Sequence, residues 1–282
     1  MELQGLIKAI DRAIEGGLDW LTFNGSHVFK ALRALLEGFY RWIEWGLLAP
    51  PFLVVAIVVG IIGWRAVGWR FGLGAAAGIA FCAVMGLWTE TMQTLALVIA
   101  GTMLALLISI PIGILAGFNP RLNQALVPVL DMMQTLPPYI YLLPSIALLG
   151  FGPATALAAT VVVAVPPALR LTAHGIRLTP QNFLELGQAT GTTSTQMFSK
   201  IRLPFAMPSI MAGVNQCIMM AVGMVVIAGI VGSGGLGTTI YDAIRTLDIG
   251  KSIDGGLAIV ILAMILDRIT EGAVANEREA GQ

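Results

Sequence analysis

From Leu47 to Gly272 the chain is a succession of apolar blocks, each about 20 residues long and nearly free of charge. Inside a bilayer every backbone N–H and C=O must be bonded within the protein, so continuous apolar blocks of this length become helices. The expectation is an all-α, polytopic transmembrane bundle of about seven spans, at 47–64, 71–88, 93–117, 124–149, 153–173, 206–231 and 254–272. Composition agrees: 57% of the 282 residues are hydrophobic and 11% are charged, against about 25% charged in soluble domains. A net charge of zero gives no reason to expect nucleic acid as a partner. Cys82 and Cys217 lie in apolar runs, where buried thiols are expected rather than a disulfide or a metal site. The first residues carry scattered charges, so no removable signal peptide is expected.

The blocks are rich in Gly, Ala and Ser, which lets helix backbones approach closely in lipid. Pro111, Pro128, Pro137, Pro138, Pro144, Pro166 and Pro167 interrupt them. Broken helices are tolerated where the freed backbone faces protein or a wet cavity, which argues for a pathway rather than an anchor. Residues 1–46 form an amphipathic arm. Leu6, Ile10, Ile14, Leu18 and Leu21 recur at helical spacing, as do Phe29, Leu32, Leu36, Phe39 and Ile43. Arg33 with Glu37, and Glu37 with Arg41, are i,i+4 pairs. Such helices lie on or against the membrane, either as a packing arm or as a scaffold that a partner contacts. The segment 47–272 is then the membrane domain and 273–282 a short tail.

Basic residues set the orientation. Arg65, Arg70, Arg121, Arg170, Arg177, Lys200 and Arg202 fall after the first, third and fifth blocks, and the opposite loops carry few. That side is read as cytoplasmic, with the N-terminus outside and the C-terminus inside.

One polar stretch breaks the apolar series: "LELGQATGTTSTQMFSKIRLP", residues 184–204, inside a loop over 174–204. Thr179 is placed as an N-cap with Pro180 at the first helical position. Gly191 is placed to end that helix in the left-handed conformation. Thr193 and Gln196 have the capping-box spacing that opens a second helix, which Pro204 is expected to end. Gly187, Ala189 and Gly191 make one surface small, and Phe183, Leu184, Met197 and Phe198 supply apolar anchors. Joining loops are usually a handful of residues, so a structured loop of this length points to docking of another protein.

Glu185, Gly187, Gly191, Ile201, Leu203 and Pro204 resemble the E-A-A, three residues, G, nine residues, I-x-L-P signature of bacterial ABC importer permeases. Leu186 and Gly187 stand where the two alanines are usual. Residues 130–152, 207–216 and 255–270 are similar to the membrane subunit of the glycine betaine, proline betaine and choline importers. The resemblance implies a fold of the type I ABC importer permease kind in the bacterial inner membrane. It also implies a second permease copy, a cytoplasmic ATPase dimer and a periplasmic or lipid-anchored substrate-binding protein. Glu185, Gly187, Ala189, Gly191, Met197, Phe198, Ile201, Leu203 and Pro204 are then the ATPase-coupling residues.

Candidate pathway residues are Asp131, Gln134, Pro137, Tyr139 and Tyr141 around the broken fourth block, with Asn215, Gln216 and Met219 in the sixth. An aromatic ring attracts a quaternary ammonium by cation–π interaction. Equally, the tyrosines could form an interfacial belt with Asp131 capped or paired, and Asn215 could bond across helices. Asp267 and Arg268 are read as a structural pair. "GSGGLG", 232–237, fits a dinucleotide-binding pattern but follows a membrane helix rather than a strand, so it is read as a flexible external turn. The chain has no P-loop, no H-E-x-x-H and no G-x-S-x-G, so no cofactor and no enzymatic role are expected, and any ATPase is another polypeptide. Two rivals remain: a permease for an amino acid such as proline or histidine, and an ATP-independent channel or secondary transporter.

Overall fold

A computed structural model describes residues 12, 16–17 and 20–280, with side chains through Gly272. Leu6, Ile10, Ile14 and Leu18 of the arm lie outside the described residues. Every regular element among the described residues is helical. The first half holds α1 (Ser26–Leu48), α2 (Phe52–Ala66), α3 (Trp69–Val84), α4 (Trp88–Phe118) and α5 (Pro120–Thr135). A 3-10 turn at Pro138–Tyr141 leads to α6 (Leu142–Leu149) and α7 (Pro153–Arg177). Then come α8 (Gln181–Ala189), α9 (Leu203–Ile227), α10 (Gly235–Thr246) and α11 (Ile249–Ala280), so the last helix continues into the expected tail.

The centre is a three-helix pack of α4, α7 and α9. Along α4, Gly101, Ala105, Ser109, Gly113 and Gly117 recur every fourth residue and are all buried. Along α7, Thr160, Ala164, Ala168, Thr172 and Ile176 do the same. The two rows meet. A Cβ on Gly101 would lie 2.7 Å from Thr160 Cγ2, one on Gly113 2.7 Å from Thr172 Cβ, and one on Gly117 2.6 Å from Ile176 Cβ. Lipid is as apolar as leucine and gives no hydrophobic drive between helices, so close contact of this kind holds the bundle. α9 packs on α7 as well: Gly213 of α9 lies against Ala168 and Leu171, and Gly175 of α7 lies against Ser209.

The arm helix α1 is part of this core. Leu36 and Tyr40 are buried with α4 and α7, and Phe29, Phe39 and Ile43 pack beside them. Both expected i,i+4 pairs form, Arg33–Glu37 at 2.7 Å and Arg41–Glu37 at 3.3 Å. Arg33 also donates to the Phe151 carbonyl at 3.2 Å, tying α1 to the start of α7. At Pro50–Pro51 the chain turns through 98° into α2. Trp42 and Trp45 stay exposed at that corner, and Trp64 and Trp69 at the far end of the α2–α3 hairpin, positions suited to the two membrane interfaces.

Among the described residues four helices are long and apolar enough to cross a bilayer: α4, α7, the continuous helix Ser194–Val231 and α11. Counting α1 with α2 as one bent span gives five among the described residues, fewer than the seven expected. The reason is local. α2 has 15 residues and α3 has 16, below the ~20 that a straight span needs. The block expected at 124–149 is divided at Leu136–Pro137, where the backbone is extended and two prolines in a row offer no N–H.

The "GSGGLG" segment is not a flexible turn. Gly232, Gly234 and Gly235 have φ of 67°, 80° and 76°, which fold the chain sharply into α10. The first N–H groups of α10 are capped from α4: Gly235 donates to Gln93 Oε1 at 2.9 Å and Leu236 to Thr94 Oγ1 at 2.8 Å. Gly235, Leu236 and Gly237 are buried, so the glycines serve packing.

The α4–α7 contact generates a direct prediction. Gly113→Leu should destabilise the protein by about 1–3 kcal/mol, as overpacking does. Gly74→Leu, on a surface with nothing within 4 Å, should not. Thermal unfolding in detergent of the two variants checks this.

Candidate functional site

The loop between α7 and α9 is built from local signals that mostly act as their spacing indicates. At the end of α8, Gly191 has φ of 72°. Its N–H bonds the Gln188 carbonyl at 3.1 Å and Thr192 N–H bonds the Gly187 carbonyl at 3.0 Å. This is the paired termination that a left-handed glycine allows. Thr193 then opens the next segment with a full capping box: its Oγ1 accepts from Gln196 N at 3.4 Å, and its N–H donates to Gln196 Oε1 at 3.0 Å. Two expectations fail. Thr179 does not cap α8; its hydroxyl is buried and donates to the Ile176 carbonyl at 3.1 Å, ending α7 instead. Pro204 does not end the unit. Residues Met197–Arg202 form a π-helical turn, in which Leu203 N–H reaches the Phe198 carbonyl, and Pro204 stands in the first turn of α9. Proline has no N–H to lose, and a widened turn makes room for its ring. The second loop helix is therefore continuous with α9.

Gly187 faces inward. It is buried, and a Cβ there would meet Met197 Cε at 2.6 Å and Ile201 Cδ1 at 3.0 Å. Gly187, Met197 and Ile201 thus close the hairpin rather than form its outer surface. The rings of Phe198 and Phe118 lie 5.8 Å apart, and those of Phe183 and Phe205 4.8 Å, so the loop is anchored to the ends of α4 and α9. Phe198 and Leu203 pack on a cluster of Ile176, Ala206 and Ile210. The Arg202 guanidinium stands 4.9 Å over the Phe118 ring. Outward on the second half of α8 are Glu185, Leu186, Gln188 and Ala189, with Leu186 60% exposed. Leu186 had been only a departure from a pattern; its exposure makes it the apolar centre of that face.

The pathway candidates divide. Asp131, Gln134, Pro137 and Tyr139 are exposed along one side of α5 and the break. The Tyr141 hydroxyl donates to the Met133 carbonyl at 2.9 Å, closing the end of α5, and its side chain packs on the central core, whereas Tyr139 is 58% exposed. Asn215 bonds across helices: its Nδ2 donates to Asp267 Oδ1 at 3.2 Å and its Oδ1 accepts from the Thr270 hydroxyl. It is polar glue between α9 and α11, and Asp267 is held by Asn215 rather than by Arg268, which pairs with Glu271 at 3.1 Å. Gln216 is exposed and Met219 half-buried on α9. Asp131 has a partner that its sequence neighbourhood did not suggest, Arg170 of α7, at 2.5 Å. Among the described residues no cluster of three or more His, Cys, Asp or Glu could hold a metal.

Residues 109–272 match the model of the binding-protein-dependent transport system inner membrane component. The chain belongs to this family. The permease is 37% identical to the glycine betaine/proline betaine transport system permease protein ProW of Escherichia coli (strain K12), over 96% of this chain and 77% of that protein. It is 35% identical to the glycine betaine transport system permease protein OpuAB of Bacillus subtilis (strain 168), over 98% of this chain and 96% of that protein. Its fold is similar to a chain of the inward-facing MetNI methionine ABC transporter, with a TM-score of 0.60 at 23% identity, covering 70% of this chain and 96% of that one. The permease is accordingly an inner-membrane transport component with the type I importer fold, not an enzyme.

The hairpin packing gives the next expected outcome. Gly187→Ala should be tolerated, because its Cβ meets the mobile end of Met197. Gly187→Leu should force the hairpin open, which hydrogen–deuterium exchange over 181–204 would report as faster exchange.

Proposed function

We propose that the permease is the membrane subunit of an ATP-driven importer for a small solute with a fully methylated nitrogen: glycine betaine, proline betaine or choline. The observation that carries this is the 37% and 35% identity, over nearly the whole chain, to permeases named for glycine betaine. A permease named for trimethylamine N-oxide, at 34% identity over 88% of this chain and 38% of that protein, keeps the same methylated head group. Likeness to the methionine transporter concerns the fold and does not favour an amino acid.

Two copies of the permease pair with two cytoplasmic ATPase subunits, and a separate binding protein delivers substrate from outside. The exposed face of α8, with Glu185, Leu186 and Ala189, docks in the ATPase, and Gly191, Met197, Phe198, Ile201, Leu203 and Pro204 make the docked hairpin rigid. ATP binding closes the ATPase dimer and moves α8. The N-terminus lies outside and the C-terminus inside, which agrees with the basic residues beside the loop end of the bundle. Solute passes along the exposed side of α5, by Asp131, Gln134, Pro137 and Tyr139, with Gln216 and Met219 of α9.

Proteoliposomes holding the permease, its ATPase and its binding protein test this. A labelled panel of glycine betaine, choline, proline betaine and histidine should give accumulation of a methylated amine only with internal ATP. Uptake indifferent to ATP would make it a channel or secondary carrier, and uptake of histidine alone would overturn the substrate. In the same system Glu185→Lys should abolish uptake while membrane yield is unchanged, since reversing a charge in a docked face costs about 2–5 kcal/mol.

A further inference from the structure

Arg170 lies two turns, about 10 Å, inside the loop end of α7. Its Nη2 donates to Asp131 Oδ1 at 2.5 Å, joining α7 to α5. The pair is not sealed: the Asp131 side chain keeps 56% of its surface exposed and Arg170 35%. Charges at membrane depth are not left against hydrocarbon, so this face opens on a wet space or on a second permease copy. The exposed side of α5 is mixed: Val127, Val129 and Met132 are exposed there beside polar groups. Gln124, Asp131 and Thr135 lie in line at i, i+7 and i+11 and are exposed. Leu126, Leu130 and Met133 pack inward on α7 and Cys217.

The guanidinium is also incompletely used. Arg170 Nε is buried and has no hydrogen-bond partner among the described residues. That N–H is out of reach of solvent, so a solute in this space meets only the outer end of the guanidinium, whose Nη2 is shared with Asp131. A carboxylate is the acceptor whose two oxygens match the planar fork of an arginine. One turn earlier, Pro166 and Pro167 sit inside α7 and have no N–H. Val162 and Val163, four residues before these prolines, therefore have no N–H donor from the i+4 position. A positive fork beside an exposed carboxylate is complementary to a molecule bearing one carboxylate and one ammonium.

We propose that Arg170 is a specificity-determining residue of the pathway, binding the carboxylate of a passing ammonium carboxylate through its fork while Asp131 faces the ammonium. This rests on the importer function proposed above. The Asp131–Arg170 pair is net neutral, and a net-neutral dipolar solute exchanges with it without leaving a bare charge at depth. Each end of the solute replaces one member of the pair for the other.

The test uses the complete transporter in proteoliposomes with labelled glycine betaine, and assembly checked by size exclusion. Arg170→Gln should lower ATP-driven uptake about 10- to 100-fold, as loss of a hydrogen bond to a charged group implies. Arg170→Lys keeps the charge and the assembly but loses the fork, so its uptake should fall several-fold; uptake equal to the unaltered protein overturns the proposal. The double variant Asp131→Arg, Arg170→Asp restores an ion pair. It should assemble and hydrolyse ATP without transporting, because the fork has left its buried place on α7. Full recovery of uptake in the double variant would mean a purely structural pair and overturn the proposal. Failure of the unaltered protein to take up glycine betaine, proline betaine or choline would instead overturn the importer function itself, whereas uptake of choline alone, which has no carboxylate, would overturn the role given to Arg170.

Discussion

Direct contact between the small-residue rows of α4 and α7 is the constraint on which the rest of the permease depends. With Gly101, Gly113 and Gly117 pressed on Thr160, Thr172 and Ile176, the two helices are fixed along their whole shared length. α9 is then seated on α7 through Gly213 and Gly175, α1 lies across the start of both, and α10 is capped by Gln93 and Thr94 of α4. Large apolar side chains such as Leu97, Leu157 and Met224 fill the core, but lipid would solvate them as well as protein does, so they add little specificity. Shape and a few buried hydrogen bonds carry the specificity.

That core gives the loop its mechanical meaning. α8 is stopped by Gly191 and the following turn is fixed by the Thr193–Gln196 box, so the hairpin resists bending. Its second strand of helix runs through the π turn into α9 without a break. Phe198 and Phe183 tie it to the ends of α4 and α9. A force applied at α8 is passed to α9, and through Gly175 and Ser209 to α7. The Asp131–Arg170 pair then joins α7 to α5.

The sequence made legible what is settled within a few residues. The left-handed Gly191, the capping box and the Arg33–Glu37–Arg41 pairs are i to i+4 chemistry, and they stand where spacing puts them. Membrane residence and the helical class follow from the apolar blocks. What stayed hidden was set by residues far along the chain. Gly187 is turned inward by Met197 and Ile201 across the hairpin. "GSGGLG" is rigid because Gln93 and Thr94 reach it from another helix. Asn215 meets Asp267, and Asp131 meets Arg170, only once the helices have packed. Arg170 itself was counted as a loop cation because its run ends near the membrane boundary, whereas α7 carries it inside the bundle.

The most direct measurement is the reactivity of single cysteines on the outward face of α8. Leu186→Cys and Ala189→Cys would be alkylated in the isolated permease and in the assembled transporter, with Thr246→Cys at the opposite end as control. The native Cys82 and Cys217 are buried and stay silent. If α8 is the surface through which the ATPase moves the membrane helices, assembly protects positions 186 and 189 and leaves 246 unchanged. Equal reactivity at 186 and 189 before and after assembly would contradict it.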